Sequence, residues 1–312
     1  MKNKITVTGA NITFFSFAMA YILFTILMLF PTLIFGKDFA SDNFAVITLI
    51  SEYVIILGPV FVYVFIKKLS IREIFRLNNP GFLPMVIILL TVIPASLAGE
   101  AFNMLIVYPL SLIGKLPETP IPVPHTINDL LLMLFVIGVT PGICEEILNR
   151  GIFLKAYEKR GTVKAIVISA IFFGLFHFDI QNLFGPIFLG LLMGYYVART
   201  NSIFSSMFAH FLNNSFAVLC LYWARNEQPQ QSSRITFEQF GITMLRGAIA
   251  FAIVIVLMLL FTKLTEKKST FQPSISGVGS DIKSVVSHWP IIVILSMYFC
   301  FTCLIVLAVL VS

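Results

Sequence analysis

Apolar residues in this chain come in long runs, with charged residues confined to the short stretches between them. Such runs read as membrane spans, because a helix rising about 1.5 Å per residue needs about 20 apolar residues to cross a hydrocarbon core of about 30 Å. Candidate spans occupy roughly residues 11–35, 44–66, 82–113, 128–154, 164–180, 184–198, 202–223, 241–262 and 289–311. They predict an all-α polytopic transmembrane bundle of eight or nine spans. The third run is long and is broken by Pro84, Pro94, Gly99 and Pro109, so it reads as a kinked span or as a span plus a re-entrant piece. In the first, Ala18-Met19-Ala20 imitates a signal-peptidase site, but the apolar run continues well past it and predicts an uncleaved helix.

Composition narrows the class. The 312 residues are 58% hydrophobic and 12% charged, where a soluble domain carries roughly 25% charged residues. This excludes a soluble domain, a disordered chain, a coiled coil and a nucleic-acid binder. The net charge of +6 is read by position, since Lys and Arg in short connections fix orientation. With the amino terminus, bearing Lys2 and Lys4, in the cytoplasm, the cytoplasmic connections hold Lys67, Lys68, Arg72, Arg76, Lys155, Lys159, Arg160, Lys164, Arg199, Lys263, Lys267 and Lys268. The opposite ones hold Lys37, Lys115, Arg225 and Arg234, and they include the Pro-rich stretch 116–124, of polyproline character. The expected organisation is a single integral membrane domain over 1–312, with a polar cytoplasmic linker at 263–288 and a last transmembrane helix at 289–311. No repeat is visible, and Cys144, Cys220, Cys300 and Cys303 fall in apolar runs where they act as small hydrophobes.

Ionisable side chains inside apolar runs are costly unless paired or facing water, so they are candidates for function. Here they cluster. The fourth run carries Glu145-Glu146 and Arg150, the fifth Phe173 and His177, the seventh His210, Asn213 and Asn214. Counted from the expected cytoplasmic ends, Glu145, His177 and His210 lie about 8 to 13 residues deep, or roughly 12–20 Å. All three can therefore meet at one depth. Glu146 and Arg150 are four apart with the acid first, the favourable order for a helical ion pair. Glu145, rotated about 100° away, is left without an in-helix cation and is available for proton transfer. His210 and Asn214 share a face, where two donors can converge on one oxyanion.

Glu-Glu-x-x-x-Arg at Glu145, Glu146 and Arg150, Phe-x-x-x-His at Phe173 and His177, and His-x-x-x-Asn at His210 and Asn214 resemble, in order, the motifs of the CAAX protease and bacteriocin-processing (CPBP) family. That family includes type II CAAX prenyl endopeptidases and abortive-infection-like membrane proteins. The resemblance covers 128–223, the expected catalytic core. It implies an intramembrane endopeptidase opening to the cytoplasm, in which Glu145 and His177 hold and activate water, His210 and Asn214 form the oxyanion hole, and Glu146 and Arg150 support the site. Phe173 is implied as packing. No cofactor is favoured; zinc, the alternative, would take Glu145, His177 and His210 as ligands. The implied substrate is a peptide bond near a hydrophobic or lipid-linked terminus, in a prenylated tail, a peptide precursor or a membrane protein, handled at the lipid bilayer (the plasma membrane in a prokaryote).

Other readings are a non-catalytic scaffold or immunity protein of the same fold acting on a partner membrane or cell-envelope enzyme, and a transporter using Glu52, Glu100 and Glu145 as a proton relay. His-Glu-x-x-His and Gly-x-Ser-Gly are absent. Gly277-Val278-Gly279-Ser280-Asp281 reads as a flexible connector, Cys300-x-x-Cys303 as packing, and His125 and His288 as residues of connections without a special role.

Overall fold

The computed structural model describes residues 5–36, 38–117, 121–226, 234–274 and 277–311. Lys2, Lys4, Lys37 and the middle of the Pro-rich stretch lie outside the described residues. Among those described there is no strand, and each apolar run forms a helix. These are α1 (Val7–Phe35), α2 (Phe44–Ile66), α3 (Phe82–Ile113), α4 (Ile127–Arg160), α5 (Thr162–Leu175), α6 (Phe184–Thr200), α7 (Ile203–Ala224), α8 (Phe237–Leu264), α9 (Val278–Val286) and α10 (Trp289–Val311). Seven, namely α1 to α4, α7, α8 and α10, are long and apolar enough to cross a membrane. Large apolar side chains such as Leu33, Phe65, Phe82 and Val311 are exposed on them, as lipid-facing residues should be. The protein is a multi-pass integral membrane protein.

Start signals sit where the chain needs them. Thr6 caps α1 through the Gly9 amide, and capping boxes at Thr126/Asp129 and Thr236/Gln239 begin α4 and α8. The third run is one helix of 32 residues containing Pro94 and Pro109, so no re-entrant piece forms there. A proline inside a helix removes one backbone bond, which the packed neighbours of a membrane bundle tolerate. The fifth run stops at Leu175, short of the expected 180. Two i→i+3 bonds, His177 N to Gly174 O and Phe178 N to Leu175 O, tighten the last turn, and Phe178 at φ 49° reverses the chain. Thus α5 and α6 form a short hairpin inside the bundle. The linker also departs from expectation, because 278–286 is a helix whose Val285 is buried.

The core lies on α1, α2, α4 and α5, where Phe14, Phe17, Phe153, Phe172 and Phe176 pack ring on ring. A polar network crosses this end. Tyr157 donates to Asn11 Oδ1 at 2.7 Å, and the Asn11 amide donates to His288 Nδ1 at 2.9 Å, so His288 ties the linker to α1. The first half of the bundle is thereby locked around α4.

Candidate functional site

Small residues set the distance between α4 and α7. A Cβ on Gly142 would lie 3.2 Å from Met207 O and 3.3 Å from Phe211 N, and one on Gly138 would meet Ser215 Oγ at 2.7 Å. Without side chains at these two positions, four residues apart, the backbones approach closely enough for Glu145 and Glu146 to reach His210. On the other flank, a Cβ on Gly190 would sit 3.0 Å from Ala170 Cα, so α6 lies tight on α5.

Pro141 adds a second device. Having no N–H, it leaves the carbonyl of Ile137 without its helical donor, and Asn214 Nδ2 fills the place at 2.9 Å. A proline on α4 thus orients an amide on α7. The backbone of α4 widens to π-helical turns at 134–139 and 147–154, on either side of the Glu145-Glu146 turn, a distortion frequent where helices carry functional groups.

Glu146 is the hub. Its Oε1 accepts from Arg150 Nη1 at 2.6 Å and from His210 Nδ1 at 3.0 Å, with Glu146 and Arg150 fully buried. Arg150 also donates from Nη2 to Gly190 O at 3.1 Å and stacks 4.7 Å over the Phe173 ring. The ion pair therefore joins α4 to α6, and the Phe173 ring stands perpendicular to both imidazoles, 5.3 Å from His177 and 5.6 Å from His210 between centroids. The His177 ring is set by Phe173 O, 2.9 Å from Nδ1. A carbonyl only accepts, so the proton is on Nδ1 and the Nε2 lone pair is left over. His210 is likewise set through Nδ1, and its Nε2 lies 3.9 Å from Glu145 Oε2.

Glu145, His177, His210 and Asn214 line one cavity of about 430 Å³, while Glu146 and Arg150 stand behind its wall. A carboxylate, two imidazoles and an amide, from α4, the α5–α6 turn and α7, thus face the same space.

This arrangement falls within a stretch that known proteins share. Residues 127–216 match the model of the Rce1-like family, type II CAAX prenyl endopeptidase Rce1-like. Over this stretch the chain is similar to the CPBP family. A relative in Bacillus subtilis (strain 168), named "Putative membrane peptidase YdiL", is 34% identical over 125 residues, which is 39% of this chain. The match spans about half, 51%, of that protein's length. No solved structure matches.

The matched stretch does not close the cavity alone. Ser96, Glu100 and Asn103 of α3 line it, with Asn182 and Asn213. Ser96 donates to Asn213 Oδ1 at 2.7 Å, and Asn103 bridges Asn182 and the Gly185 amide. Of these the sequence marks Glu100 and the doubled Asn213-Asn214; Ser96, Asn103 and Asn182 carry no motif, only their polarity in or beside apolar runs. Glu52, buried on a π-helical turn of α2, stays outside the cavity.

Two features of the cavity bear on the expected site. The cavity wall includes Ile121 of the α3–α4 connection, and Gly185 and Pro186 at the α6 end that follows the α5–α6 turn. These lie at the end of the bundle opposite Arg72, Lys155 and Lys159. His210 and Asn214 each have one donor already engaged, by Glu146 and Ile137, so only the far nitrogen of the imidazole and the second amide N–H face the cavity. For zinc, no group of three or more His, Cys, Asp or Glu side chains among the described residues is arranged to hold a metal ion.

Proposed function

We propose that this protein is an intramembrane endopeptidase that hydrolyses a peptide bond in the Glu145 cavity with water activated by side chains alone. The observation that carries the reading is the fixed tautomer of His177. With Nδ1–H held by Phe173 O, its Nε2 can only accept a hydrogen bond in the neutral ring, as can the Glu145 carboxylate. A water between two acceptors has both hydrogens engaged and a lone pair free for the scissile carbonyl.

In the forward step Glu145 takes one proton as the water oxygen bonds to the carbonyl carbon. The resulting oxyanion lies beside the second N–H of Asn214, while the His210 ring is held through Nδ1 by Glu146. The tetrahedral species then collapses, the C–N bond breaks, and the amine leaves with the proton held by Glu145. Glu146 and Arg150 hold His210 and touch no reacting atom.

The family likeness and the name of the Bacillus relative support peptidase chemistry. The substrate we propose is a peptide or membrane protein cut near a hydrophobic or lipid-linked terminus, because the cavity is enclosed by apolar helices and holds few charges. Comparison of peptides released by membranes containing wild type or Glu145→Gln tests this. Products that vanish in the variant, and persist in wild type with a strong chelator, are expected; products unaffected by Glu145→Gln would favour the non-catalytic scaffold.

A further inference from the structure

At the basic end of the bundle lies a second cavity, of about 720 Å³, bounded by the α2–α3 connection, the end of α4, and Ile5, Asn201 and Gln272. Four cations line it, Arg72, Arg76, Lys155 and Lys159, against two carboxylates, Glu73 and Glu158. A surplus of cations is ordinary on a cytoplasmic face, where their side chains extend into water. Arg76 does not follow that pattern. It is 3% exposed, its Nη2 pairs with Glu158, and its Nε and Nη1 find no hydrogen-bond acceptor in the protein. Those two nitrogens carry three N–H bonds, and a guanidinium buried with donors unfilled is strongly disfavoured unless something accepts from them.

The backbone is unusual here too. Arg76 is held at φ 49°, in the left-handed region, with its carbonyl accepting from the amides of Asn78 and Ile203. Such a conformation in a non-glycine residue persists where surrounding structure enforces it, often at ligand clamps. Glu158 meets Arg76 through Nη2 alone and lies 3.6 Å from Lys155 through its other oxygen, so neither Nε nor Nη1 of Arg76 is bonded to it. Lys159 and Arg72 stand at the rim, Lys159 near Ile5 O at 3.4 Å.

We propose that this cavity binds a phosphate group, with Arg76 as its buried anchor and Arg72 and Lys159 closing on the outer oxygens. Phosphate presents several acceptor oxygens on one anion, which suits a guanidinium with donors to spare and flanking ammonium groups. The group can belong to an anionic lipid of the adjoining leaflet or to a soluble phosphate, and basic pockets of this kind at the cytoplasmic ends of helices suit lipid headgroups.

The test uses the full chain purified in a non-ionic detergent. Binding of dioctanoyl phosphatidylglycerol, dioctanoyl phosphatidylcholine and inorganic phosphate is measured by calorimetry for wild type, R72Q/K159Q and K67Q/K68Q. Both variants remove the same charge, but Lys67 and Lys68 are exposed outside the cavity, and neither variant touches Arg76 or its partner Glu158. Wild type and K67Q/K68Q are expected to bind with similar affinity, and R72Q/K159Q at least tenfold more weakly. Binding of phosphatidylglycerol alone identifies a lipid headgroup as the source, and binding of inorganic phosphate identifies a soluble one. Equal weakening in both variants would reduce the effect to diffuse charge and overturn the proposal, as would an absence of binding to wild type or equal binding of phosphatidylcholine.

Discussion

At the scale of single residues, the site separates groups that face the cavity from groups that hold them. Glu145→Gln, His177→Ala and His210→Ala should each lower peptide release by at least about 10²-fold, with unfolding temperature in detergent close to wild type for Glu145→Gln. Arg150→Met should instead act on stability. It leaves Glu146 as a buried charge without its cation, at a cost of about 3–5 kcal/mol, and the double variant Glu146→Gln/Arg150→Met should recover part of that loss in thermal unfolding. If the double variant is as unstable as Arg150→Met alone, the pair is not the unit described. The Glu146–Arg150 contact was legible because helical spacing of four is a local property. The Asn11–Tyr157–His288 network was not, since its partners are 146 and 277 residues apart in the chain, and His288 reads from sequence as a residue without a role.

At the scale of elements, catalytic geometry depends on how α4 meets α7. Pro141→Ala restores an N–H opposite Ile137 O, so Asn214 loses its acceptor while α4 gains a backbone bond. The expected outcome is a drop in peptide release of about tenfold or more with an unfolding temperature equal to or above wild type; a drop in both would mean that Pro141 is needed for folding and not for orienting Asn214. Gly142→Val should push α7 away by the width of a side chain, and a misplacement of about 1 Å can cost about 10²-fold in rate. The helices themselves were plain in the apolar runs, and α2 and α3 have the bounds that the runs predict. What the runs could not give were the end of α5 at Leu175, which depends on a left-handed residue at Phe178, and the π-helical turns of α2 and α4, which local composition does not encode.

At the scale of the whole molecule, the two cavities lie at opposite ends, one lined by carboxylates, imidazoles and amides, the other by cations. Ile121→Cys and Lys159→Cys, in a background with the four native cysteines replaced by serine, should label differently with a membrane-impermeant maleimide added to intact cells. The thiol introduced in place of Ile121 should react directly, and the one in place of Lys159 only after permeabilisation; the reverse would invert the orientation. The cation pattern alone indicated the orientation of the spans, but not the end the cavity reaches, because its wall is assembled from helices distant in sequence. The most direct test of water activation by Glu145 is hydrolysis in H₂¹⁸O, with reconstituted protein, chelator present, and the new carboxyl termini of released peptides read by mass spectrometry. Wild type should place one ¹⁸O at each new terminus and Glu145→Gln should yield no such termini; ¹⁸O-labelled products of equal abundance from the variant would contradict the account.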